Sequence, residues 1–171
     1  MLNHFKAIAL SAFLIVSLAA CQAQTPKTEP SQEAVAEDSQ KTTEYKPGEW
    51  ITDYRQALKL SAETGNPILV NFTGSDWCIW CKRLSKEVFT EQAFIDYAKL
   101  NLILLKLDFP KTIQQPEALK MQNNELLRKF GVQGFPTIIL MDKEGNEIAR
   151  TGYQEGGAGL YVNHLKQLLT K

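Results

Sequence analysis

The chain has 171 residues, with 19 Lys and Arg set against 19 Asp and Glu, and 44% of its residues are hydrophobic. That length allows one ordinary domain plus a targeting segment. The balanced charge removes any electrostatic case for nucleic-acid binding, and the apolar content is sufficient for a packed core.

Met1 to Lys6 carries positive charge, and Ala7 to Ala20 is almost wholly apolar. The run is short for a membrane span and suits the hydrophobic part of a signal peptide. No later segment could enter a membrane. The run ends in Leu18-Ala19-Ala20-Cys21, which resembles a bacterial lipobox, where the cysteine becomes the lipidated first residue. The alternatives are an ordinary cleaved signal, or an uncleaved anchor with an incidental cysteine. Residues 1–20 are read as a lipoprotein signal peptide and Cys21 as the lipidation site. Several acyl chains on one residue hold firmly, at about 0.8 kcal/mol for each buried methylene. Three cysteines are an awkward number for an exported protein, and consuming Cys21 leaves Cys78 and Cys81 as one pair.

Gln22 to Gly48 is rich in Thr, Ser, Gln, Glu, Lys and Pro and has few large apolar residues. It cannot bury enough surface to offset ordering entropy, so 21–48 is expected to be a lipidated, disordered tether. The folded unit is expected over 49–171.

Within it, Thr52 is placed to cap a helix running to about Thr64, with Tyr54, Ala57, Leu58 and Ala62 on one face. Gly65-Asn66-Pro67 ends that helix, and Ile68 to Thr73 reads as a buried strand. Gly74-Ser75-Asp76 makes a turn into a helix from about Trp77. Cys78, Cys81, Leu84, Ser85 and Val88 then share an inward stripe. Thr90 is placed to cap a continuation carrying Ala93, Phe94, Tyr97 and Ala98. Leu102 to Asp108 reads as a strand and Phe109 to Gln115 as a loop. Glu117 to Phe130 reads as a helix with Leu126, Leu127 and Phe130 inward, ended by Gly131. Thr137 to Met141, a turn over Asp142 to Asn146, and Glu147 to Thr151 form a hairpin. A last helix after Gly156 to Gly159 carries Leu160, Leu165, Leu168 and Leu169. The strand–helix–strand unit predicts parallel pairing and the hairpin adds antiparallel strands.

Two thiols spaced i and i+3 at a strand-to-helix turn can close a disulfide or pass it to another protein, so dithiol–disulfide exchange is the leading chemistry. A static disulfide is the alternative, but so short a loop gains little by chain entropy. Zinc would need two further ligands. After Cys21 the chain has no cysteine besides Cys78 and Cys81 and no histidine besides His164, so no metal site is expected. Asp142 to Asn146 has its glycine misplaced for a calcium loop, and Gly156 to Gly159 lacks the context of a nucleotide fingerprint.

Trp77-Cys78-Ile79-Trp80-Cys81-Lys82 resembles the active-site motif of the thioredoxin superfamily. Phe130-Gly131-Val132-Gln133-Gly134-Phe135-Pro136-Thr137 resembles its second signature, whose proline is cis. The similarity spans roughly Trp50 to Thr170. Asn71 to Cys78 and Lys106 to Pro110 also match the pattern of exported, thioredoxin-like lipoproteins of bacteria. The resemblance implies an α/β thioredoxin-like fold, with a central mixed sheet of four or five strands and helices on both faces. It implies no cofactor.

On this resemblance Cys78 is the attacking thiol. It sits where unpaired N–H groups and a partial positive charge favour an anion. Cys81 lies a turn further in, more buried, and resolves the mixed disulfide. Pro136 matches the cis-proline, and the backbone at Phe135 is implied to pair with substrate as an added strand. Trp77, Ile79, Trp80, Phe135 and Thr137 are the candidate substrate contacts. In place of the superfamily's buried aspartate stands Asn71, which cannot ionise. Lys106 matches an accompanying lysine, and Lys106 or a water held by Asn71 is expected to manage the proton of Cys81. Asp76 is expected to temper the thiolate of Cys78.

The resulting expectation is a thiol–disulfide oxidoreductase of the bacterial cell envelope, a reductase or isomerase rather than an oxidase. Its implied partners are cysteine-containing envelope proteins, a membrane or periplasmic thiol electron donor, and the membrane itself through the lipid anchor. The rival reading is a non-catalytic binding or chaperone module for unfolded envelope proteins.

Overall fold

Ile68–Thr73 (β2) is buried at every position and lies in the middle of a five-stranded sheet. The computed structural model describes residues 45–170; the signal segment 1–20, Cys21 and the tether up to residue 44 lie outside the described residues. Trp50–Ile51 (β1) pairs parallel with Ile103–Asp108 (β3), and β3 pairs parallel with β2. Thr137–Met141 (β4) pairs antiparallel with β2 and with Glu147–Thr151 (β5). The order is β1-β3-β2-β4-β5. The expected mixed sheet is therefore present, and the short β1 makes the fifth strand. Tyr45 already packs against the core, and the Glu49 N–H closes a turn on the Lys46 carbonyl.

Alternation along the strands divides the core into two layers. Ile68, Val70 and Phe72 of β2 face one side, with Leu105 and Leu107 of β3. There they meet Ala57 of Tyr54–Thr64 (α1) and Leu126 of Glu117–Lys129 (α4). On the other side, Leu69 and Leu104 pack against Leu84, Val88 and Phe94. These come from Ile79–Leu84 (α2), the π-helical turn Ser85–Phe89, and Gln92–Asn101 (α3). Tyr161 and Leu165 of Gly157–Leu169 (α5) complete that layer. Each fully buried aliphatic side chain contributes about 1.5–3 kcal/mol. Among the described residues no helix is long and apolar enough to cross a membrane.

Local chemistry moves several expected details. Asp53, not Thr52, caps α1: its carboxylate accepts the Gln56 N–H at 2.8 Å. Ser61 is buried where Ala62 was expected, because its hydroxyl donates to the Asn66 carbonyl at 2.6 Å and is thereby satisfied. α2 begins at Ile79, with Cys78 as its cap rather than inside it. Thr90 does not start the next helix. Its N–H bonds back to the Ser85 carbonyl and closes the π turn, while α3 begins at Gln92 with Glu91 before it. That wider turn shifts the helical phase and brings both Val88 and Phe89 inward, leaving Ser85 and Ala93 exposed. Leu160 is exposed, and Tyr161 takes the core position beside it.

Candidate active site

β2 delivers the chain to a tight turn at Gly74. The Gly74 carbonyl accepts the Cys78 N–H at 2.8 Å and the Trp77 N–H at 3.3 Å. A Cβ at Gly74 would lie 2.5 Å from the Trp77 indole, so this close approach needs glycine. The indole N–H in turn donates to the Phe109 carbonyl at 2.8 Å.

Cys78 is the N-cap of α2 and is disulfide-bonded to Cys81, with their Cα atoms 5.2 Å apart. The Cys78 Sγ accepts the Cys81 N–H at 3.1 Å. A sulfur thus occupies the place where a Ser or Asp oxygen commonly satisfies a first-turn donor. The two cysteines are equally covered, each 5% exposed. This differs from the expected open Cys78 and deeper Cys81: in the oxidised pair the capping sulfur is turned onto the helix start. The residues around it are open. Ile79 is 73% exposed, and Trp77 and Trp80 are exposed too.

The Phe135–Pro136 peptide is cis. The Phe135 ring meets Trp77 edge-on at 5.8 Å and stacks on Phe109 at 5.1 Å, so the proline turn lies against the redox turn. Thr137 begins β4 opposite Phe72 and donates its hydroxyl to the Gly134 carbonyl at 2.8 Å. Phe135, Pro136 and Thr137 are all half-buried.

Asn71 and Lys106 are register partners across β2 and β3. By alternation Asn71 shares the Leu69 face, the one covered by α2 and the π turn. Asn71 is only 7% exposed, and its Oδ1 has no hydrogen-bond partner among the described residues. With Lys106, Ser85 and Phe89 it lines a cleft of about 930 Å³. Lys106 Nζ lies 3.4 Å from Asp108 Oδ2 and gives Asn71 no hydrogen bond.

Three features were not foreseen. Asp108 accepts the Ser75 N–H at 2.9 Å and so ties β3 to the redox turn. Asp76 faces the loop after β3, accepting the Lys111 N–H at 3.0 Å and both the N–H and hydroxyl of Thr112 at 2.6 Å. The Thr112 hydroxyl, followed by backbone donors, holds the Asp76 carboxyl well below the usual carboxylate range. Its hydrogen bonds make it a loop anchor, and none of them is with Cys78. Trp80 packs on Tyr153 at 5.5 Å, whose hydroxyl donates to Glu87 at 2.5 Å. Asp108 and Phe109 stood in the stretch already singled out, but no local pattern marks Tyr153 and Glu87 as partners. His164 pairs with the Thr151 hydroxyl at 2.9 Å, at the β5–α5 contact. Among the described residues no group of three or more His, Cys, Asp or Glu is placed to hold a metal.

The thioredoxin-like domain family matches residues 54–159. The chain is similar to the disulfide bond reductase DsbH of Chlamydia pneumoniae, 37% identical over 116 residues covering 68% of this chain and 70% of that protein. It is similar to the thiol:disulfide interchange protein DsbD of Actinobacillus pleuropneumoniae, 33% identical over 113 residues, but spans only 18% of that longer protein. A solved structure of a DsbH oxidoreductase superposes with a TM-score of 0.69 at 34% identity, covering 80% of this chain and 96% of that one. A capping sulfur one turn from a second thiol can exchange disulfides with cysteine-containing proteins. On its fold, its sulfur pair and these similarities, the chain belongs to the thioredoxin-like domain family and is a thiol–disulfide oxidoreductase of the disulfide-reductase type, with Cys78 and Cys81 as the exchanging pair.

Proposed function

We propose that this enzyme reduces or isomerises disulfides in cysteine-containing proteins of the bacterial cell envelope while held to a membrane through lipidated Cys21. The signal-like segment 1–20 and the lipobox-like Leu18 to Cys21 support export and anchoring. The polar stretch that follows would give the domain reach. The name of the Chlamydia pneumoniae relative, a disulfide bond reductase, supports the direction. Extracytoplasmic space is oxidising, so the direction requires a membrane or periplasmic dithiol as electron donor.

In the reductive half-cycle the Cys78 thiolate attacks one sulfur of a client disulfide. A mixed disulfide forms and one client sulfur leaves as thiolate. Cys81 then gives up its proton and attacks the Cys78 sulfur. The second client sulfur leaves and the Cys78–Cys81 disulfide closes, carrying two electrons' worth of oxidation. A donor dithiol opens it again by the same two exchanges, becoming a disulfide itself. The observation that carries this reading is the Cys81 N–H aimed at the Cys78 Sγ, because a donor at that sulfur favours the thiolate both as attacker and as leaving group.

The exposed Ile79 and Trp80 favour a second reading, a module that holds unfolded clients without turnover. Insulin reduction in dithiothreitol separates them. Loss of activity in Cys78→Ser with client binding retained supports the enzyme; equal activity in wild type and variant supports the module. Detergent-phase partition of the wild type but not of Cys21→Ser tests the anchor, and identical partition removes it.

A further inference from the structure

The loop between β3 and α4 is bolted to the redox turn at three points. Ser75 donates to Asp108 at 2.9 Å, the Trp77 indole donates to the Phe109 carbonyl at 2.8 Å, and the Asp76 carboxylate gathers the donors of Lys111 and Thr112. The Lys111 ammonium lies 4.3 Å above the Trp77 ring, so its charge also rests on the turn. Beyond these anchors the loop presents Ile113, 57% exposed. It therefore stands beside the redox turn as a wall, held chiefly by one side chain that precedes the redox pair by two positions.

We propose that Asp76 is a positioning residue that selects protein disulfides over small ones, by fixing the Phe109–Ile113 loop as one wall of the client-docking surface. This rests on the reading of the protein as an enzyme acting on protein clients. A protein client must place its disulfide against Cys78 while its neighbouring backbone and side chains find Trp77, the loop and the Phe135 turn. A small disulfide needs only the sulfur. Asp76 is suited to this task because two backbone N–H groups and a hydroxyl converge on a single carboxylate, and charge-assisted hydrogen bonds are the strong ones. An amide at that place keeps the volume, loses the charge, and has one acceptor oxygen where the carboxylate has two.

The test uses the full chain with two substrates, insulin and hydroxyethyl disulfide. In Asp76→Asn, kcat/KM for insulin is expected to fall roughly tenfold relative to that for hydroxyethyl disulfide, mostly through KM. Hydrogen exchange at the Lys111 and Thr112 amides should speed up in the same variant. Thr112→Val, which removes only the hydroxyl donor, should move insulin turnover in the same direction by less. Equal loss on both substrates would overturn the proposal, because Asp76 would then act on the sulfur chemistry. Unchanged insulin kinetics with faster amide exchange would overturn it too, because the freed loop would not matter to clients. A wild type that turns over hydroxyethyl disulfide but not insulin would instead count against the protein-client reading on which the proposal stands.

Discussion

The Cys81 backbone N–H points at the Cys78 Sγ from 3.1 Å, so the first thiol of the pair is also the cap of the helix that carries the second. The relation is unsymmetrical. Cys78 receives a first-turn donor; no such donor to the Cys81 sulfur is found among the described residues, and its own N–H is the one given away. In the reduced protein this asymmetry should appear as reactivity. Iodoacetamide at neutral pH is expected to alkylate Cys78 at least about tenfold faster than Cys81, and Cys81→Ala is expected to accumulate mixed disulfides with clients. Mass mapping of the alkylated peptides reads the first outcome. Equal, slow alkylation of both sulfurs would remove the attacking role from Cys78.

Gly74 and Trp77 are coupled by space. With 2.5 Å between an added Cβ and the indole, Gly74→Ala must push the Trp77 ring off its seat. The indole then loses its bond to the Phe109 carbonyl and its edge contact with Phe135. Tryptophan emission is expected to shift to the red, and stability to fall by about 1–3 kcal/mol, read by urea unfolding. A crystal structure of the variant with the Trp77 ring in place would contradict the argument.

Glu87 joins Arg83 and Tyr153, the two residues whose side chains pack on the Trp80 ring. It accepts the Tyr153 hydroxyl and the Arg83 Nε at 2.9 Å, and the Tyr153 bond is the first cause lowering its pKa below the ordinary 4.5. The Tyr153 hydroxyl is held protonated by the same bond. The folded state therefore binds the Glu87 proton less readily than the unfolded chain. The contribution is complete above about pH 4.5 and is lost as pH falls through the lower folded value. Trp80 emission should change over that acid window in wild type and be flat in Glu87→Gln, where no carboxyl titrates.

Local signals made most of the frame legible. The apolar run Ile68 to Thr73 is the central strand, the thiol pair follows it after one turn, and Asp142 to Asn146 turns β4 into β5. Errors arose where neighbouring residues could do the same job. Thr52 and Asp53 can both cap a helix, and only the observed backbone decides between them. Ser61 displaced Ala62 inward because a distant carbonyl satisfied its hydroxyl. The π turn changes the phase of the stripe that carries Cys81 and Leu84, and no residue type announces it. At the site, the sulfur pair and the cis-proline turn were visible as motifs. The grip of Asp76 on Thr112 and of Tyr153 on Glu87 was not, because partners 36 and 66 residues apart leave no periodic trace.

Asn71 lies under the redox helix with a buried oxygen that no protein group among the described residues satisfies. Lys106, its register partner, is turned to Asp108. A carboxyl put there by Asn71→Asp would be buried while Lys106 is engaged with Asp108, so burial should raise its pKa above the ordinary value near 3.9. The sign follows from proton binding: between about pH 4 and the raised value the folded variant holds more protons than the unfolded chain, so its stability falls as pH rises. Relative to wild type the variant should lose more stability at pH 8 than at pH 5, measured by denaturant midpoints at each. If Asn71 shapes proton loss from Cys81, the same variant adds an ionisation to the pH profile of mixed-disulfide resolution, and Lys106→Met shifts that profile in the variant more than in wild type. An unchanged pH–rate profile in Asn71→Asp takes Asn71 out of the mechanism and leaves it a buried amide of the sheet.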